Sequence, residues 1–130
     1  MEERKPKVLL VDDDQFLLNM YGLKFTNSGF EVVTADSGEA GLKKLKEGLN
    51  PDIVLADIVM PLMDGLQFVQ QAISEHLVPA SRCIMLTNQG QSTDIDRAKE
   101  LGVGGYIVKA STVPSEVVEE VKAILAKTTK

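Results

Sequence analysis

The chain has 130 residues, 44% of them hydrophobic and 25% charged, the make-up of an ordinary globular unit with a core and not of a disordered segment. Its formal net charge of −5 argues against a nucleic-acid-binding surface, which needs a basic excess, and its single cysteine, Cys83, excludes an internal disulfide. No apolar run approaches the length of a membrane span and no signal-peptide pattern opens the chain, so no membrane contact and a cytoplasmic location are expected.

Lys7-Val-Leu-Leu-Val11 is a compact apolar run and predicts the first strand. Asp12, Asp13 and Asp14 follow, with Asp14 placed to cap a helix over Gln15 to Asn27 that carries Phe16, Leu17, Met20 and Leu23 at helical spacing. Gly29 is a natural stop. Glu31 to Ala35 predicts the second strand. Ser37 caps a second helix with Leu42, Leu45 and Leu49 on one face and Gly48 near its end. Asp52 to Ala56 reads as a third, doubly buried strand that delivers Asp57 at its mouth. Pro61 lacks an N–H and pushes Met60 out of helical geometry, so the chain must turn there. Asp64-Gly65 starts a third helix with Leu66, Val69, Ile73 and Leu77 as its buried stripe, broken by Pro79. Arg82 to Leu86 predicts the fourth strand, followed by Thr87. A polar loop over 88–93 leads to a short helix from about Asp94 to Leu101, stopped by Gly102. Gly105 to Val108 predicts the fifth strand, followed by Lys109. Pro114 opens the last helix, which buries Val117, Val118, Val121, Ile124 and Leu125 and runs to Lys127.

Strict alternation of five strands and five helices implies an α/β fold, a doubly wound five-stranded parallel sheet with helices on both faces, and five strands suit the order 2-1-3-4-5. The whole chain, 1–130, reads as one domain with its core over about 7–127, and no output domain is visible within it. In such sheets the ligand site lies beyond the carboxyl ends of the central strands. One edge would then collect Asp12, Asp13, Asp57, Thr87 and Lys109. Each alone has a plain alternative as a helix cap, turn residue or solvated loop residue. Together they crowd three carboxylates, which repel one another unless a hard cation intervenes. Mg²⁺ fits best because it takes few carboxylates and keeps positions for water or phosphate. A carboxylate beside such an ion can attack a phosphoryl group, with an ammonium and a hydroxyl screening the added charge.

With these motifs in view, the sequence resembles a response-regulator receiver domain of two-component signalling, of the single-domain chemotaxis-regulator kind and with its flavodoxin-like fold. The resemblance rests on Val-Leu-Leu-Val-Asp-Asp-Asp (8–14), Asp-Ile-Val-Met-Pro-Leu-Met-Asp-Gly (57–65), Met-Leu-Thr (85–87) and Gly-Tyr-Ile-Val-Lys (105–109). It implies that Asp57 accepts phosphate from a sensor histidine kinase or histidine phosphotransfer protein. It implies that Asp13, Asp57 and the Val59 carbonyl ligate Mg²⁺ (Mn²⁺ as a substitute), with Asp12 helping through water. It implies that Lys109 and Thr87 stabilise the phosphoryl group, and that Thr87 and Tyr106 move together to reshape the face of helix four, strand five and helix five. A downstream protein target or output domain would read that face. The chain would catalyse only its own phosphorylation and dephosphorylation.

Three departures from the family pattern stand out. Ala110 replaces the proline that usually follows the strand-five lysine, which leaves the path of the loop carrying Lys109 open. Asn88 stands where a small residue is usual and would partly cover the pocket. Val59 and Gln89 occupy the two variable positions that flank the path of the hydrolysing water in this family; Val59 cannot orient water and Gln89 cannot act as a base, so a long-lived phosphoryl group is expected. Two other readings compete. One is a haloacid-dehalogenase-like phosphatase using Asp12 and Asp14, for which Phe16 is the wrong residue and a cap is missing. The other is a phosphorylation-independent binding module of the same fold. His76 is expected at the surface, and Cys83 as inert packing.

Overall fold

A computed structural model describes residues 5–87, 92–108 and 113–128. The strands are β1 (Lys7–Val11), β2 (Glu31–Ala35), β3 (Ile53–Asp57), β4 (Cys83–Thr87) and β5 (Gly105–Val108). The helices are α1 (Gln15–Asn27), α2 (Gly38–Lys46), α3 (Gly65–Ser74), α4 (Ser92–Leu101) and α5 (Pro114–Thr128). All strand pairings are parallel, and the order is β2-β1-β3-β4-β5. The doubly wound sheet expected from the alternation is therefore the observed one.

The period of two along the strands divides the core into two layers. Leu9, Val11, Val54, Ala56, Cys83 and Met85 meet α2, α3 and α4 through Leu42, Leu45, Leu66, Phe68 and Ala98. Val8, Leu10, Ile53, Leu55, Ile84 and Ile107 meet α1 and α5 through Leu18, Tyr21, Phe25, Val117 and Val121. Both faces of β3 and β4 are buried along their whole length, so only their ends are open to function.

The structure corrects several local expectations. The face of α1 that packs on the sheet is Leu18, Tyr21 and Phe25, with Phe25 set edge-on against Phe30 at 5.0 Å. Leu17 and Met20 flank it, while Phe16 and Leu23 are exposed. Apolar residues run most of the way round this helix, so spacing alone did not select the face. β3 and β4 each end one residue later than expected, so Asp57 and Thr87 are the last residues of their strands. Helix α4 begins at Ser92, ahead of Asp94. Helix α3 ends at Ser74, well before Pro79, which instead precedes a single 3-10 turn at Ala80–Arg82. The stop is His76, at φ +59, where the His76 N–H donates to the Ile73 carbonyl (3.0 Å) and the Leu77 N–H to the Ala72 carbonyl (2.9 Å). This is a Schellman ending with histidine in the place usually taken by glycine. Phe68 and Ala72 join the buried face of α3, while Ile73 and Leu77 lie at its margin.

The connection from β3 to α3 is held at both ends. Asp64 and Gln67 form a reciprocal capping box at the start of α3. The Gly65 N–H donates to the Ile58 carbonyl at 2.8 Å. A Cβ at position 65 would collide with the Asp57 carbonyl oxygen. Between these anchors, the Met63 N–H donates to the Pro61 carbonyl at 2.8 Å across Leu62, which sits at φ +70. That is a γ-turn of the rarer, strained hand, costing about 1–2 kcal/mol for a residue with a Cβ.

Two outcomes are expected. Gly65→Ala should lose about 1–3 kcal/mol of unfolding free energy in urea titration, because the intruding methyl meets backbone and not a flexible side chain. Burial pushes the Cys83 thiol up to about 12 from 9.0. Below pH 9 the thiol is protonated in both folded and unfolded chains. Above it the unfolded chain loses its proton first, so this group's contribution to stability falls as pH rises from 9 towards 12. The slope is at most about 1.4 kcal/mol per pH unit, measurable as the difference between the wild type and Cys83→Ala in alkaline urea titrations.

Candidate functional site

The parallel register builds the site. Val11 pairs with Ala56, so the next residues along both strands, Asp12 and Asp57, come side by side at the carboxyl edge of the sheet. Asp57 pairs in turn with Leu86, which sets Thr87 one step beyond it, and Thr87 pairs with Val108. Asp12, Asp57 and Thr87 are the buried polar residues of the described chain, at 4%, 5% and 3% exposure, whereas Asp13 is exposed.

Backbone hydrogen bonds fix these side chains. The Asp12 N–H donates to the Ala35 carbonyl at 3.1 Å, tying the end of β1 to the end of β2. The Asp14 N–H donates to Oδ1 of Asp12 at 2.9 Å and so orients that carboxylate. Asp14 itself is a helix cap: its Oδ1 accepts from the N–H groups of Phe16 (2.9 Å) and Leu17 (3.3 Å). The Ile58 N–H donates to the Leu86 carbonyl at 3.1 Å, continuing the sheet past Asp57.

Carboxylate oxygens of Asp12, Asp13 and Asp57 all lie within 4.8 Å of one another. This donor set suits a hard divalent cation. All three donors are oxygens, and ligands on an ion with bonds of ~2.1 Å stand roughly 3–4 Å apart. Two of the donors are buried and the third faces solvent, so one side stays open to water or phosphate. No histidine or cysteine joins the group, which disfavours zinc.

Of the other residues singled out from sequence, Val59 lies just beyond β3 with its side chain exposed, and Tyr106 is 39% exposed on β5. Lys109, Ala110, Asn88 and Gln89 fall outside the described residues. Cys83 is fully buried, and His76 is exposed at the far end of α3. Sequence reasoning passed over Gly65 as a site residue. Its only signal was a glycine directly after the cap Asp64, and its role is to let α3 approach the Asp57 backbone. It also passed over Leu62, whose backbone conformation carries no mark in the residue type. No helix among the described residues is long and apolar enough to cross a membrane.

Comparison with known proteins agrees with this geometry. Among curated proteins, a probable transcriptional regulator, ycf27, of Guillardia theta is 36% identical over 128 residues, covering 98% of this chain and 48% of that protein. The alkaline phosphatase synthesis transcriptional regulatory protein PhoP of Bacillus subtilis is 34% identical over 121 residues, covering 93% of this chain and 49% of that protein. The chain thus spans about half the length of the curated relatives it matches. Among solved structures, chemotaxis protein CheY4 of Vibrio cholerae superposes with a TM-score of 0.86 at 26% identity, covering 93% of this chain and 99% of that one. A CheY-like receiver domain protein of Methanospirillum hungatei gives 0.87 at 26% identity, covering 97% and 98%. The family model for the response regulator receiver domain matches residues 8–122. With parallel strands that bring three carboxylates to one edge, and with that match running through nearly the whole fold, the chain belongs to the response regulator receiver domain family.

Proposed function

We propose that Asp57 is the phosphoacceptor of a two-component signalling switch, charged by a sensor histidine kinase or a histidine phosphotransfer protein. The observation that carries this reading is the convergence of Asp12, Asp13 and Asp57 within 4.8 Å at the carboxyl edge of the sheet. Asp13, Asp57 and the Val59 carbonyl would hold Mg²⁺ or Mn²⁺, with Asp12 helping through water, and the ion would neutralise the carboxylates and the incoming phosphoryl oxygens.

An oxygen of Asp57 attacks phosphorus, forming an O–P bond as the P–N bond of the donor phosphohistidine breaks. The electron pair leaves with the imidazole, which takes up a proton. The Thr87 hydroxyl donates to a phosphoryl oxygen, and the Lys109 ammonium pairs with the same group. The acceptor gains nearly two negative charges. Thr87 is drawn towards them and vacates space that Tyr106, half-exposed one strand away, moves in to fill. The face of α4, β5 and α5 then changes, and a downstream protein target or an attached output domain reads the change in the cytoplasm.

The phosphatase alternative is disfavoured by Asp14, whose carboxylate caps α1 and is not offered to a ligand. The phosphate-independent module leaves the three converging carboxylates without a purpose.

Incubation with acetyl phosphate and Mg²⁺ should add one phosphoryl group to the wild-type chain by intact mass, and none to Asp57→Asn. Thr87→Ala should slow the reaction roughly tenfold, the value of one hydrogen bond to a charged group. Retention of the mass shift in Asp57→Asn would reject the assignment. Val59 is apolar and cannot orient water, and Gln89 cannot act as a base, so the acyl phosphate should persist for minutes or longer at neutral pH in Mg²⁺. Decay within seconds would reject that assignment.

A further inference from the structure

We propose that Asp14 is a positioning residue for the cation site: by capping α1 with its carboxylate it holds its own N–H on Asp12, and so sets how tightly Mg²⁺ binds without being a ligand. The inference rests on reading the carboxylates of Asp12, Asp13 and Asp57 as that site.

Asp14 is not a member of the group whose oxygens lie within 4.8 Å of one another. It acts through two consecutive turns of the same kind. Oδ1 of Asp12 accepts from the Asp14 N–H, two residues on, at 2.9 Å. Oδ1 of Asp14 accepts from the Phe16 N–H, again two residues on, at 2.9 Å, and from the Leu17 N–H at 3.3 Å. The Asp14 carbonyl accepts from the Leu18 N–H at 3.0 Å. Three backbone N–H groups of α1 therefore hold Asp14, and Asp14 holds Asp12.

A chain of contacts thus runs from the core to the carboxylate. Leu18, Tyr21 and Phe25 seat α1 on the sheet. The first turn of α1 fixes Asp14 in extended geometry, at φ −93 and ψ 106. At the other end the Asp12 N–H is tied to the Ala35 carbonyl at 3.1 Å. Asp13 alone lies between the two anchored residues, so the peptide that bears the Asp14 N–H has little freedom, and the exposed Asp13 is carried on the same short span.

Asp12 is 4% exposed, so its carboxylate has little bulk water to orient it. A carboxylate already aimed by a hydrogen bond needs no ordering when an ion arrives, and outer partners of this kind tune metal affinity. Without the Asp14 carboxylate the first turn of α1 loses its cap, and an incoming ion must itself order residues 12–14. The effect falls on affinity and not on transfer to Asp57. The negative charge of Asp14 would also attract a cation, and the two effects are separable: asparagine caps a helix as well as aspartate does and carries no charge.

The test is calorimetric titration with Mg²⁺ of the wild type, Asp14→Asn, Asp14→Ala and Asp14→Gly, with amide hydrogen exchange at Phe16 and Leu17 reading the cap. Asp14→Ala should bind Mg²⁺ about five- to tenfold more weakly, with faster exchange at both amides, and Asp14→Asn should stay within about twofold of the wild type. Asp14→Gly removes the carboxylate at little cost to the helix and should match Asp14→Ala, which keeps the test decisive if the alanine variant does not fold. With acetyl phosphate, Asp14→Ala should need correspondingly more Mg²⁺ for half its maximal rate and reach the wild-type rate at saturation. Equal weakening in Asp14→Asn and Asp14→Ala would place the effect in charge and overturn the proposal. So would unchanged Mg²⁺ affinity in Asp14→Ala or Asp14→Gly, which would leave Asp14 a helix cap alone. Absence of Mg²⁺ binding by the wild type would instead remove the cation site itself, and the proposal with it.

Discussion

Parallel pairing of β1 with β3 is the constraint on which everything else depends. Five-residue strands in register, Val8 with Ile53 through Val11 with Ala56, force the residues that follow to emerge together. Those residues are Asp12 and Asp57, two carboxylates at the rim of an apolar core, with Asp13 beside them. The fold tolerates the arrangement because burial elsewhere is so complete: β3 is buried at every position, and the layers above and below it are continuous. Three carboxylate oxygens this close together are a donor set that suits a hard divalent cation.

The surrounding backbone is arranged to keep that edge rigid. Asp14 links two tasks, capping α1 with its carboxylate and orienting Asp12 with its N–H. Gly65 lets α3 approach the Asp57 carbonyl, so that the chain leaving the strand folds back over it at once. The helices that follow β1 and β3 therefore start from fixed points defined by the site residues themselves. A defined first turn on either side holds the Asp12 carboxylate and the Asp57 backbone in place.

Much of this was legible in the residues. Strands β1, β2 and β5 and helix α1 have the bounds that their apolar runs and caps indicate, and the acidic group is the one expected from strand ends. The reasons are local: apolar runs flanked by aspartate, serine and glycine leave few choices. What escaped depends on tertiary context. The packed face of α1 is chosen by the sheet from a helix apolar on most sides. The end of α3 is set by His76 in a conformation that sequence associates with glycine. The strand ends at Asp57 and Thr87 extend one residue further because neighbouring strands supply hydrogen bonds there, and apolar patterning does not register that.

Leu62 belongs to the same class and shows why such misses gather near the site. Local preference and global fold agree through most of the chain, as foldable sequences require. They disagree at a leucine in a left-handed turn, fully exposed, in the connection that carries the acidic residue. A disagreement of this kind lowers stability. The two core layers are closed to other molecules, and the carboxyl edge is where the chain exposes both its concentrated charge and its strained apolar residue. Carboxylate crowding and backbone strain thus both fall at the carboxyl edge of the sheet, the one in the residues that end β1 and β3 and the other in the connection from β3 to α3.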